Sequence, residues 1–196
     1  MRLVLLGPPG AGKGTQAAHI SARQGIPALS TGQLFDRHIN AGTPLGRQAE
    51  RYVRAGELVP DDIVLGVIRE RLSRPDCSVG FVLDGFPRTV PQAAALDRLL
   101  AQSGTPLDAV INLDVDESEV LERIRRRSKL EAGLDDAEET ARLRLKGFAE
   151  EPAPLRHYYA GRGLLRTVNG SGRPEEVSAR IETVLADLAH PEIPAP

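Results

Sequence analysis

The chain has 196 residues with one cysteine, no tryptophan and, among 25 basic residues, only three lysines. Each scarcity excludes something. The single Cys77 rules out an internal disulfide framework and any zinc site built from four cysteines or from two cysteines and two histidines. So few thiols suit a reducing cytosol, and a cytoplasmic protein is expected. The longest apolar runs, Leu3 to Leu6 and Ile63 to Ile68, fall far short of the roughly 20 residues of a membrane span. Met1-Arg2-Leu3 resembles the start of a signal peptide, but its apolar stretch stops at Gly7-Pro8-Pro9, too soon for one. A net charge of −2 gives no general attraction to nucleic acid. His19, His38, His157 and His190 lack metal-ligand spacing and read as surface or packing residues, as does Cys77.

What is present is the composition of one globular domain: 41% hydrophobic and 27% charged residues, enough to bury a core. The basic residues are Lys13, Lys129, Lys146 and otherwise arginine. Base composition accounts for most of that bias, so bidentate phosphate recognition attaches to arginines at particular positions and not to the excess as a whole.

Strand and helix signals alternate along the chain. Continuous apolar runs at Leu3 to Leu6, Phe81 to Asp84, Ala109 to Val115 and Leu164 to Val168 predict strands, with a short one at Pro27 to Leu29. Helices are expected to about Arg23, from Ser30-Thr31 to Asn40, from Pro44 to Gly56, from Asp61 to Arg74, from Thr89 to Ser103 and from Glu117 to Ser128. Residues 129 to 137 read as a loop. A helix from Asp136 to Phe148 follows, with Pro152 and Pro154 interrupting before another helical turn, and a last helix runs from Pro174 to Leu188. The tail from His190 is expected to fray. Such alternation predicts an α/β fold with a doubly wound parallel sheet covered on both faces. The stretch from Ser30 to Val59 holds helices without a strong strand, a helical excursion from the sheet.

Gly7-Pro8-Pro9-Gly10-Ala11-Gly12-Lys13-Gly14-Thr15 lies between a predicted buried strand and a helix, the context a phosphate-binding loop requires. Glycines let successive N–H groups turn inward around a phosphate, and the helix N-terminus adds partial positive charge. Lys13 can reach the β- and γ-phosphates. Gly14 separates Lys13 from Thr15, so the hydroxyl on the metal side is less certain than in the strict pattern. The motif points to nucleoside triphosphate binding without separating kinase, hydrolase or switch protein.

Further motifs narrow this: Leu29-Ser30-Thr31-Gly32, Gly56-Glu57-Leu58-Val59, Asp84-Gly85-Phe86-Pro87-Arg88-Thr89 with Gln92, Asp135-Asp136 with Glu138-Glu139-Thr140, and Ala153-Pro154-Leu155 with Tyr158-Tyr159. Together they resemble the nucleoside monophosphate kinases, most of all bacterial adenylate kinases with a short lid, over nearly the whole chain. The resemblance implies a single P-loop kinase domain over 1–196, with a monophosphate-binding insertion at 30–59 and a short, zinc-free lid at 127–137. It implies a monomer with no nucleic-acid or membrane partner, and the Mg²⁺-dependent reaction ATP plus AMP giving two ADP.

By the same resemblance, Gly10, Ala11, Gly12, Lys13, Gly14, Thr15, Arg123 and Arg127 bind ATP, with Arg123 against the adenine. Thr31, Glu57, Val59, Gly85, Arg88 and Gln92 bind AMP, with Arg88 on its phosphate. Lys13, Arg88, Arg127 and Arg144 supply positive charge to the transferring group, and Asp84 positions metal-bound water. Arg125 and Arg126 lack motif support and read as solvated charges. Thr31 and Gln92 favour adenine over the pyrimidine acceptors of related kinases; Thr31 also suits a helix N-cap.

Three positions depart from the family pattern. Gln33 stands where an Asp is usual. Asp36 stands where an Arg is expected, with Arg37 beside it but about 100° away around a helix. Gly133 stands where the lid carries an Arg. Negative charge near an acceptor phosphate weakens binding, so a slower enzyme with a weakened AMP site is expected. Two alternatives stay open: a kinase with UMP, CMP or dAMP as acceptor, and a nucleotide-binding relative without catalysis that acts as a sensor.

Overall fold

The structure is a computed structural model that describes residues 1–131 and 152–189, with side chains over 1–126 and 153–188. Five parallel strands form one sheet in the order β2-β3-β1-β4-β5: β1 (Arg2–Leu6), β2 (Ala28–Ser30), β3 (Phe81–Asp84), β4 (Ala109–Asp114) and β5 (Leu165–Asn169). Among the described residues the helices are α1 (Lys13–Gln24), α2 (Thr31–Asn40), α3 (Pro44–Ala55), α4 (Asp61–Leu72), α5 (Val90–Gln102), α6 (Glu117–Glu131), α7 (Pro152–Ala160) and α8 (Pro174–Ala189). No described helix is long and apolar enough to cross a membrane. The described residues hold no His, Cys, Asp or Glu cluster able to bind a metal by itself.

The central strands are apolar on both faces because both faces are covered. Along β1, Val4 and Leu6 join a core with Leu83, Phe86, Leu96 and Ile68, while Leu3 and Leu5 point the other way, to Val82, Ile111, Ala17 and Ile181. Alternation of side chains along the strand produces this division. Each fully buried Leu or Ile contributes about 1.5–3 kcal/mol, so the sheet centre is the rigid part on which the loops at its carboxyl ends stand. The edge strand β5 is different: only Val168 of its residues is buried.

Several element ends differ from the sequence reading. Helix α6 continues to Glu131, so residues 129–131, expected in a loop, are helical. The helical turn expected after Pro152 and Pro154 is α7, which holds both prolines in its first turn, where the leading N–H groups have no intrahelical acceptor to lose. Ser30 occupies the N-cap of α2 without a side-chain capping bond, and Thr31 is the first helical residue. Thr43, in contrast, caps α3 by accepting from the Gly46 N–H. Cys77 is buried beside Arg71, whose guanidinium donates to its sulfur at 2.9 Å, in keeping with a packing role. The expected helix at 136–148, Arg144, Gly133, Asp135, Asp136 and the tail from His190 lie outside the described residues.

Candidate active site

The candidate residues gather at the carboxyl ends of the strands, where open parallel sheets place their ligand crevice. After β1 the chain turns at Gly7 and runs through Gly10 and Gly12, all at positive φ. Gly10 needs its missing side chain: a Cβ there would meet Ile124 Cγ1 of α6 at 2.9 Å. Gly12 is the N-cap of α1 and has no side chain to bond the first-turn N–H groups, which leaves them for an anion.

Lys13 turns its ammonium back over this loop, donating to the carbonyls of Gly7 at 2.8 Å and Pro8 at 3.0 Å. Burial pushes its pKa down to about 8, opposed by Asp84 and assisted by the positive charge of Arg88. Asp84 ends β3 and answers in the opposite sense: burial raises its pKa, while Lys13 and Arg88 lower it. A Cβ on Gly14 would lie 3.5 Å from Asp84 Oδ2, so this carboxylate faces the first turn of α1. A cation, a carboxylate and a second cation thus share one partly dry corner. Thr15 is exposed one residue further along α1.

Beyond Asp84 the chain turns at Gly85, passes a cis Phe86–Pro87 bond and reaches the exposed Arg88. The Arg88 side chain donates through Nε to the Gly85 carbonyl at 3.0 Å. Its backbone N–H donates to Gln92 Oε1 at 2.7 Å, and Gln92 Nε2 donates to Asp61 Oδ1 at 2.7 Å. Thr31 is buried, and its hydroxyl reaches the Asp84 carbonyl at 3.4 Å. Of the 30–59 stretch, Glu57 is exposed, while Val59 is partly buried against the core. Gln33, Asp36 and Arg37 are exposed on α2.

Arg123, on α6, closes the other side. Its guanidinium donates to the carbonyls of Ala11 at 3.3 Å, Gly170 at 3.0 Å and Gly172 at 3.1 Å, and to Glu119 at 2.5 Å. It therefore ties the phosphate loop to the turn between β5 and α8. Arg127 has its backbone in α6; its side chain, like Arg144, lies outside what is described. Arg125 and Arg126 are exposed.

The family model described as Adenylate kinase matches residues 5–164 of this chain. The chain belongs to the adenylate kinase family. Its curated relatives carry the same name. An adenylate kinase of Stenotrophomonas maltophilia (strain K279a) is 50% identical over 181 residues, covering 92% of this chain and 97% of that protein. One from Parvibaculum lavamentivorans is 50% identical over 188 residues, covering 94% and 92%. One from Thermobifida fusca is 47% identical over 189 residues, covering 96% and 100%. Membership makes the chain a phosphotransferase, and identity near one-half along almost all of it supports ATP:AMP phosphotransfer.

Within this adenylate kinase fold, Lys13, Asp84, Gly85, Arg88, Thr31 and Gln92 form one continuous arrangement. Arg123 lies at its phosphate-loop end. Two participants had no signal in the sequence. Asp61 reads only as the start of a helix, and nothing in the sequence singles out Glu119. Each acts through a partner brought near by folding.

Proposed function

We propose that the chain transfers the γ-phosphoryl group of ATP to AMP, reversibly and with Mg²⁺, giving two ADP. The observation that carries this reading is the gathering of Lys13, at the start of α1, with Asp84 at the end of β3 and Arg88 in the turn beyond it, Asp84 Oδ2 facing Gly14. Phosphoryl transfer needs two nucleotides held in line and positive charge around the migrating group, with little covalent help from the protein. ATP lies with its phosphates on Gly10, Ala11, Gly12, Lys13, Gly14 and Thr15, and its base against Arg123. AMP lies against Thr31, Glu57, Val59, Gly85 and Gln92, with its phosphate on Arg88. Lys13 and Arg88 hold the transferring and accepting groups, and Arg127 and Arg144 add positive charge from the lid side.

The donors present fit Mg²⁺. Asp84 offers one oxygen-donor carboxylate against the first turn of α1, and Mg²⁺ is commonly bound by one or two carboxylates, waters and substrate phosphates. Bound there through water, the ion would neutralise phosphate charge. The reading includes a single domain with a 30–59 acceptor segment and a 127–137 lid, acting as a cytosolic monomer.

The AMP site is weakened by Asp36, which puts an exposed carboxylate on α2 where the family pattern has a cation. This departure, with Gln33, also keeps a different acceptor in view. ADP formation from ATP with AMP, dAMP, UMP or CMP tests the assignment. AMP used best, at a KM above that of the relatives, supports it. Faster transfer to UMP or CMP transfers the activity to another acceptor, and ATP binding without transfer to any of them leaves a binding protein.

A further inference from the structure

Gln92 is only 3% exposed, and both ends of its amide are engaged. The Arg88 backbone N–H, which can only donate, points at Oε1, and the Asp61 carboxylate, placed in the first turn of α4, accepts from Nε2. The two bonds, both 2.7 Å, define which end of the amide is oxygen and which is nitrogen. A flipped amide would set donor against donor at Arg88 and acceptor against acceptor at Asp61. An amide has two donors and two lone pairs, so one N–H and one lone pair remain, in an order set by these partners.

We propose that Asp61 is a positioning residue for acceptor selectivity, fixing the order of donor and acceptor that Gln92 presents to the base. The inference rests on the reading of Gln92 as a residue that contacts the acceptor base. Adenine offers an acceptor at N1 beside a donor at N6. Hypoxanthine offers the reverse, a donor at N1 beside an acceptor at O6. An amide held in one order pairs with the first and meets the second with like groups opposed. A site built on such hydrogen bonds discriminates strongly because the wrong edge leaves buried polar groups unpaired. Thr89 supports the arrangement from the other side: its hydroxyl caps α5 by accepting from the Gln92 N–H, which fixes the backbone from which the side chain extends.

The test compares kcat and KM for AMP and for IMP in the wild-type chain and in Asp61→Ala, Asp61→Asn and Gln92→Ala. Asn at 61 can still accept from Gln92 Nε2 through its carbonyl oxygen, so it should keep the amide order. The expected result for Asp61→Ala is a rise in KM for AMP with kcat nearly unchanged, and a fall of about tenfold in the AMP-over-IMP ratio of kcat/KM, the size of one charged hydrogen bond. Asp61→Asn restores the ratio to near wild type. An Asp61→Ala enzyme that loses activity equally toward both acceptors has only a structural defect, and that result overturns the proposal, as does an unchanged ratio. Gln92→Ala separates reading of the base by Gln92 from its positioning by Asp61. If it leaves AMP selectivity intact, Gln92 does not read the base and the proposal falls with that reading. If it abolishes selectivity while Asp61→Ala does not, the proposal alone falls.

Discussion

A Cβ on Gly85 would lie 2.6 Å from Thr31 Oγ1, so the turn after β3 and the start of α2 meet without room for a methyl group. Gly85 also has φ of 82°, a conformation in which a side chain is strained. Gly85→Ala should therefore lose about 1–3 kcal/mol of stability. It should also raise KM for AMP, because the displaced Thr31 hydroxyl reaches the Asp84 carbonyl. Chemical denaturation and steady-state kinetics check the two effects. A fully stable variant with unchanged KM contradicts the packing argument.

Lys13 carries a pH signature. Burial lowers its pKa from 10.5 to about 8. Between these values the unfolded chain holds a proton that the folded chain lacks, so this group's contribution to stability rises with pH across that window. Nucleotide binding acts in the opposite direction, because phosphates favour the ammonium form. ATP affinity should weaken as pH rises past about 8, with proton uptake on binding. Calorimetry in two buffers of different ionisation enthalpy measures that uptake. Lys13→Met should abolish it and cut kcat by about 10²–10³, the scale of losing one charge that stabilises a transition state.

Asp36 and Arg37 sit exposed and adjacent on α2. Exchanging them, Asp36→Arg with Arg37→Asp, reverses the charge on the AMP side while keeping the net charge. KM for AMP should fall by about three- to tenfold, more at low salt than at high salt. No change would show that the acceptor phosphate does not meet this position.

Arg123 makes its hydrogen bonds to the carbonyls of Ala11, Gly170 and Gly172 and to Glu119. Arg123→Ala should raise KM for ATP by about tenfold and leave kcat within about twofold, the pattern of binding lost equally from ground and transition states. A selective loss of kcat would place Arg123 at the migrating phosphoryl group instead.

Much of this arrangement was legible in the sequence, for physical reasons that differ by element. The first strand, the glycine loop and α1 were legible because a continuous apolar run ending in glycines has few other solutions. Phe81 to Asp84 matches β3 residue for residue, since a strand buried on both faces tolerates little polarity before its end. Helix ends were harder. The last turn of α6 extends to Glu131, because charged residues with good helix propensity continue a helix as readily as they form a loop. Both prolines of α7 fall in its first turn, because proline disrupts a helix only beyond that turn. Strand order, and the meeting of Asp61 with Gln92 or of Arg123 with Gly170 and Gly172, had no local signal at all. These contacts join residues 31 to 49 positions apart and arise from how the helices cross the sheet.

The most direct test of phosphoryl transfer follows ATP, AMP and ADP together in one reaction with Mg²⁺. The account predicts two ADP for each ATP consumed, no turnover of ATP when AMP is omitted, and loss of nearly all transfer in Lys13→Met. Consumption of ATP at the same rate with or without AMP, yielding one ADP and free phosphate, would contradict it.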